Sequence, residues 1–159
     1  MSAQAAFRTK ILFDTNQLLQ RAKSEEEILS QTASQLMKLL NRSLIVYPEQ
    51  NGDLGSEQVF EIDGEVPCNI FSAPKERDAA NWTFANKKRS GAGTDSYPDA
   101  KGLYLALRTG GGVFGVIGID LSEKPLDAFE NSVLLSILGE GALAIENRRN
   151  ALEKEQAAL

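Results

Sequence analysis

Apolar residues recur at helical spacing at the start of the chain: Phe7, Ile11, Leu12, Leu18 and Leu19, with Arg8, Lys10, Asp14 and Gln17 between them. The spacing predicts a helix over about residues 5 to 22. Ser24-Glu25-Glu26-Glu27 reads as a capping box, in which the Ser24 hydroxyl accepts from the Glu27 N–H and Glu27 reaches back. A second helix follows to about Leu40, with Ile28, Leu29, Leu36, Leu39 and Leu40 as its apolar stripe. The period then shortens. Leu44-Ile45-Val46-Tyr47 predicts a short buried strand, Asn51-Gly52 a turn, Val59-Phe60-Glu61-Ile62 another strand, and Asp63-Gly64 a two-residue hairpin turn. Ser72-Ala73-Pro74 opens a third helix, since proline is tolerated in a first turn. This helix carries Ala79, Ala80, Trp82, Thr83 and Phe84 to about Asn86. Leu103, Leu105 and Leu107 then alternate with Tyr104, Ala106 and Arg108, and Gly110-Gly111-Gly112 turns the chain into a returning strand, Val113 to Leu121. A last helix begins near Pro125-Leu126 and runs almost to the end. Strands joined by tight turns imply antiparallel pairing. Helices gathered at both chain ends suggest one helical layer on a central sheet, an α+β domain.

With 159 residues, 42% of them hydrophobic and 25% charged, the chain falls in the range of one globular domain with a real core. The whole of it, 1–159, reads as a single domain, with a core of about 24–146 between helical connectors at 1–22 and 146–159. A net charge of −5 argues against general nucleic-acid binding, and the one basic run, Lys87-Lys88-Arg89, is short. There is a single cysteine, Cys68, and no histidine. One thiol supplies no disulfide framework, which fits a reducing cytosolic compartment. The absence of histidine removes the common zinc sites and the Ser-His-Asp triad, and leaves Cys68 without an activating partner. The first residues lack the apolar stretch of a secretory signal. No uninterrupted apolar run approaches the ~20 residues that span a bilayer.

Few motifs carry chemistry. Gly110 to Gly115 matches G-x-G-x-x-G, but the β-rich residues that follow are a poor helix start, so a hairpin turn is expected in place of a dinucleotide site. The polar loop that starts at Arg89 holds more. Gly91 and Gly93 free backbone N–H groups to converge, and Thr94, Asp95 and Tyr97 add a hydroxyl, a carboxylate and an aromatic edge. Trp82 and Tyr104 would supply apolar walls. Such a loop is either a structural corner or a lid over a small ligand. Asp120 and Glu123 stand where they could cap the last helix. The terminal helices carry seams at nearly heptad steps: Leu134, Leu138, Gly141, Ile145, Leu152 and Leu159 at one end, and Phe7, Ile11, Leu18 and Ala22 at the other. They suggest a parallel homodimer through Phe7, Ile11, Leu18, Leu138, Ile145 and Leu152, the other reading being two amphipathic helices packed on a single monomer.

The run Val113-Phe-Gly-Val-Ile-Gly-Ile119, followed by a helix ending Ala142-Leu-Ala-Ile-Glu-Asn147-Arg, resembles the last strand and helix of GAF domains. These are small-molecule sensing or dimerisation modules of signalling proteins. The stretch from Trp82 through Gly91-Ala-Gly-Thr-Asp95-Ser-Tyr-Pro-Asp-Ala100 to Leu103-Tyr-Leu105 resembles the GAF domain of potassium-responsive Kdp sensor kinases, the KdpD type. So do Arg8 to Gln20 and Ser24 to Leu29. The likeness covers about residues 8 to 150 and departs at Ala106, where the family's proline is expected. The resemblance implies a GAF-like, PAS-related antiparallel sheet of five to six strands with helices packed on it. It implies a parent that is a membrane-bound sensor histidine kinase acting on a response regulator. This chain would be a cytoplasmic regulatory domain between membrane spans and kinase core. It carries no phosphoacceptor histidine and no ATP-binding domain, so it is expected to be noncatalytic. The cysteines of methionine-sulfoxide reductases and the placed Cys or His of bilin photoreceptors are missing too. The expected partners are a second copy, the parent's kinase core and an unidentified small molecule at Trp82, Arg89, Gly91, Gly93, Thr94, Asp95, Tyr97 and Tyr104. No cofactor, metal or nucleic acid is expected, nor direct membrane insertion. The alternative is a structural dimerisation and signal-transmission module with no ligand.

Overall fold

The structure, a computed structural model, describes residues 2–62 and 69–158. The anticipated turn at Asp63-Gly64 and the single cysteine, Cys68, lie outside the described residues. The elements are α1 (Ala3–Arg21), α2 (Glu25–Leu40), β1 (Leu44–Gln50), β2 (Asp53–Leu54), β3 (Gln58–Phe60), a 3-10 turn at Ile70–Ser72, α3 (Pro74–Asn86), β4 (Ser90–Gly91), β5 (Gly102–Thr109), β6 (Gly112–Asp120) and α4 (Ala128–Ala157).

The sheet is antiparallel throughout, in the order β2-β1-β6-β5-β4, with β3 also on the outer edge of β1. Asn51 and Gly52, both at positive φ, turn β1 into β2, as the Asn-Gly signal demands. Gly110 and Gly111 form the two-residue turn of the β5–β6 hairpin, so the G-x-G-x-x-G run is a turn followed by a strand.

Strand alternation divides the interior into two cores. Leu44, Val46, Leu103, Leu105, Leu107, Ile117 and Ile119 point to α1, α2 and α4. Ile45, Tyr47, Tyr104 and Val116 point to α3 and the 3-10 turn, where Phe71, Ala79 and Ala80 meet them. Helices therefore cover both faces of the sheet, a correction to the single helical layer expected from their order along the chain. On the larger side, α4 and α1 run parallel and α2 runs antiparallel to both. Arg8 donates to the Ser132 hydroxyl at 2.9 Å at one end, and Arg149 meets Glu25 at 2.9 Å at the other. Midway, α2 and α4 approach closely: a Cβ on Gly141 would lie 2.7 Å from the Thr32 hydroxyl oxygen.

Helix caps hold the ends. The Ser24 hydroxyl accepts from the Glu27 N–H at 3.0 Å, and the Glu27 carboxylate reaches back to the N–H of Lys23, one residue before the expected partner. Neither Asp120 nor Glu123 caps α4. Asp127 does, in a full capping box with Glu130, while the Asp120 carboxylate closes a turn onto Ser122. Asp127 sits one residue before the first helical position, the geometry a cap requires.

Arg42 was not singled out by sequence, yet it fixes where α4 begins. It is buried after the left-handed Asn41 that ends α2. Its guanidinium donates to the carbonyls of Asp120, Lys124 and Pro125 at 3.1, 2.6 and 3.0 Å. Arg42→Ala leaves those carbonyls unpaired and is expected to cost about 3 kcal/mol, to be read from urea denaturation midpoints at constant m.

Among the described residues one helix, Ala128–Ala157, is long and apolar enough by length and composition to cross a membrane. Here it is a core helix: Val133, Leu134, Ile137, Leu138, Gly141, Ala142 and Ile145 are buried along one stripe.

Candidate functional site

The loop after α3 starts as the edge strand β4, with Ser90 opposite Tyr104 and Gly91 opposite Leu103. Gly91 has φ +96, and a Cβ there would run into the Gly102 carbonyl oxygen, so no side chain fits. The loop satisfies its own backbone. Gly91 N–H donates to Ser96 O at 2.7 Å, and Ala92 N–H to Gly102 O at 2.9 Å. The Thr94 hydroxyl contacts the carbonyls of Gly91 and Ser96, both at 2.8 Å. Gly93, Asp95 and Tyr97 are exposed on its outer side.

Beneath the loop the space is filled. Tyr104 is fully buried, and its hydroxyl donates to Glu76 Oε1 at 2.7 Å. The Glu76 carboxylate, also fully buried, accepts from the N–H groups of Lys101 and Gly102, both at 3.0 Å. It ties the first turn of α3 to the strand that follows the loop. Ser90 is held in the same way: its hydroxyl lies 2.7 Å from Thr83 Oγ1 and 2.7 Å from Ala79 O. Tyr104 fits because Gly102 and Gly118 lack side chains: a Cβ on either would meet its ring. Nearby, Tyr47 is buried under the Arg77 guanidinium, 5.0 Å from its ring centre, and burial is the main cause that pushes its hydroxyl pKa up to about 12.

The structure thus separates the residues that sequence grouped. Arg89, Gly93 and Thr94 line one shallow groove of about 420 Å³ together with Leu103, Leu126 and Asn131. Arg89 donates to the Asn131 side chain at 2.8 Å, which joins the loop to the first turn of α4. Tyr104 is inside the smaller core, Gly91 is buried in the edge strand, Trp82 is half-buried on α3, and Asp95 and Tyr97 face solvent. The sequence marks none of Glu76, Thr83 and Ser90 as a site residue, although it places Thr83 on α3. Their only signal was position: Glu76 lies in a helix first turn, where acids are common for dipole reasons alone.

The helical seam also divides. Leu138 and Ile145 are 4% and 0% exposed in the larger core, and do not face outward as a dimer seam requires. Ile11 packs partly against the same core, and Leu18 is half-buried. Phe7, Phe13, Leu135, Leu143 and Leu152 are the exposed large apolar residues of α1 and α4. A groove of about 580 Å³ runs between these helices, lined by Leu19, Ala22, Glu140, Leu143, Asn147 and Leu152, among others.

In that groove Glu140 Oε2 is buried with no hydrogen-bond partner among the described residues, and burial raises the carboxyl pKa above its ordinary 4.5. A carboxyl that binds its proton more tightly folded than unfolded favours the fold at low pH, and that advantage fades as pH rises past its unfolded value. Glu140→Gln is therefore expected to raise the melting temperature at pH 7 and to lose that effect near pH 4. Thermal scans of both proteins at the two pH values check this.

Among the described residues no group of three His, Cys, Asp or Glu side chains converges as a metal site. No protein-family model matches the chain. Over 150 residues, 94% of the chain, the sequence is 32% identical to the sensor protein KdpD of Clostridium acetobutylicum, and the chain spans 16% of that protein's length. The crystal structure of the native GAF domain of the potassium sensor histidine kinase KdpD from Escherichia coli matches with a TM-score of 0.66 at 21% identity, covering 94% of this chain and 98% of that one. A GAF domain from an Acinetobacter phosphoenolpyruvate-protein phosphotransferase matches at 0.63 and 11% identity, covering 94% and 97%. An antiparallel sheet with α3 on one face and three helices on the other is the fold of a GAF domain, and this chain is one. Together with the match to the clostridial sensor, it is a GAF domain of the KdpD type.

Proposed function

We propose that this chain is the noncatalytic, cytoplasmic relay domain of a membrane-bound sensor histidine kinase that answers a potassium or osmotic signal. The observation that carries the reading is the arrangement of its terminal helices. α1 begins beside the start of α4, through Arg8 and Ser132, and α4 projects past α2 at the opposite end, where residues 151–158 are exposed. A chain that enters at one end and leaves at the other along parallel helices is suited to passing a shift or rotation from membrane spans to a kinase core. Two copies would associate weakly through the exposed Phe7, Phe13, Leu143 and Leu152, and the kinase core would hand phosphate to a response regulator. The loop would be an input face, with Asp95 and Tyr97 outward and Arg89 in touch with α4.

Inserting two alanines after Glu153 in the full-length kinase rotates the downstream segment by about 200° relative to the domain. Autophosphorylation is expected to lose its response to the signal while the isolated domain melts unchanged. An unaltered response would overturn the relay. Asp95→Ala is expected to change the response with little loss of stability, since the residue is exposed on a loop.

A second reading has its own support. The buried Tyr104–Glu76 pair occupies the space under the loop, which favours a structural transmission module with no ligand at that position.

A further inference from the structure

A cleft of about 350 Å³ opens on the helical side of the sheet edge, away from the Arg89–Thr94 loop. Leu29 from α2, Val46 and Pro48 from β1, Phe60 from β3 and Phe114 from β6 make its apolar walls. Glu25, Glu26 and Glu49 stand around it and no cationic residue lines it. Ser30, Gln50, Ser56 and Gln58 add hydroxyls and amides. Concave, apolar space with a few polar groups at its rim is the usual form of a small-molecule site.

The charge has a direction. Arg149 approaches the same residues from outside the cleft: it donates two hydrogen bonds to Glu25, both 2.9 Å, lies 3.6 Å from Glu49, and stacks 5.0 Å from the centre of the Phe114 ring. One guanidinium thus serves two carboxylates, and Glu26 has no ion pair among the described residues. The three acids outnumber the one cation that reaches them. Glu49, with 16% of its side chain exposed, is the carboxylate most withdrawn from water, where an unshared charge is most costly. Among the described residues no three His, Cys, Asp or Glu side chains converge here as a metal site. An aromatic face beside paired carboxylates is also what an organic cation selects, by cation–π attraction and charge-assisted hydrogen bonds.

We propose that this cleft binds a small organic cation, an amine, amidine or guanidine on a single ring or short alkyl body. Its charged head meets Glu49 and Glu25, and its body lies against Phe114, Phe60 and Leu29. The ligand shares its carboxylates with Arg149, which stands where α4 leaves the domain. Occupancy therefore loosens the hold of Arg149 on α2 and β1. This coupling rests on the relay proposed above, whereas the binding itself does not.

The test titrates the isolated chain with benzamidine and follows backbone amides by NMR, with neutral benzamide as the isosteric control. Saturable shifts are expected at Ser30, Gln50 and Gln58 with benzamidine and not with benzamide. Glu49→Gln should weaken binding by about tenfold, as loss of a desolvated charge partner does. Arg149→Gln removes the internal competitor and should tighten it severalfold. A folded Glu26→Gln variant, changed at an exposed position, serves as a second reporter if Glu49→Gln unfolds, and should weaken binding to a smaller degree. Equal binding of benzamide, or no saturable shift in either the parent chain or Arg149→Gln, overturns the site. Binding that leaves the amides of residues 150–157 unmoved overturns the coupling to α4 and leaves the relay to its own experiment in the full-length kinase.

Discussion

Glu76→Ala is expected to lower stability by about 4 kcal/mol, the scale of removing one partner from a buried hydrogen-bonded charge. For a chain of this length that is roughly 10 °C in melting temperature. Three donors converge on the carboxylate: the Tyr104 hydroxyl and the N–H groups of Lys101 and Gly102. Alanine leaves all three facing a void in the smaller core. Tyr104→Phe removes only one of them and should cost about 1 kcal/mol. The two variants differ in kind as well as size. Glu76→Ala releases the strand that follows the loop, so amides from residue 89 to 102 should exchange faster well below the melting transition, whereas Tyr104→Phe should leave them protected. If Glu76→Ala melts within about 2 °C of the parent, the carboxylate does not organise this face.

Ile145→Glu is expected to unfold the domain at ordinary temperature or to cost more than about 4 kcal/mol, because it places a charge in a filled core. Ile145 is fully buried on α4, so its removal says nothing of association. Leu143→Glu is the informative change. Leu143 is 51% exposed two positions away, on another side of the helix. Its replacement should leave stability within about 0.5 kcal/mol and move sedimentation towards the monomer. A parent chain that sediments as a monomer at high concentration, with Leu143→Glu indistinguishable from it, would remove the homodimer from the proposed function. The contrast follows from the helical wheel. Leu134, Leu138 and Ile145 share the stripe that α4 turns to the sheet and α2, and Leu152 continues that stripe beyond the core, where it becomes exposed.

This seam shows why the site was harder to read than the fold. Apolar residues at heptad-like steps identify a buried helix face but not what buries it. A partner helix and the domain's own sheet select the same residue types at the same spacing. The loop poses the same problem. Gly91, Gly93, Thr94 and Asp95 have the chemistry of a ligand cradle, yet the Thr94 hydroxyl is taken up by carbonyls of its own loop. Glu76, which holds the strand beneath, looks in sequence like any solvated acid of a helix first turn. Arg42 and Glu49 were silent for the same reason: their partners lie 78 to 100 residues away in the chain, at Asp120 and Arg149.

Sequence by itself determined what is local. Periodicity, caps and turn chemistry set four helices, the Asn51-Gly52 turn and the β5–β6 hairpin, because each depends on residues within a few positions of one another. The run from Trp82 to Leu105 carried the likeness to KdpD-type GAF domains that the clostridial and Escherichia coli relatives bear out. Tertiary structure decided which face each element buries. α3 crossed to the far side of the sheet from α1, α2 and α4, and Tyr104 on that side was joined to the Glu76 carboxylate 28 residues before it. The cleft between α2 and the β1–β3 edge arose where four separate elements, α2, β1, β3 and β6, meet. Such pairings depend on burial and charge across long loops, and no interval along the chain records them.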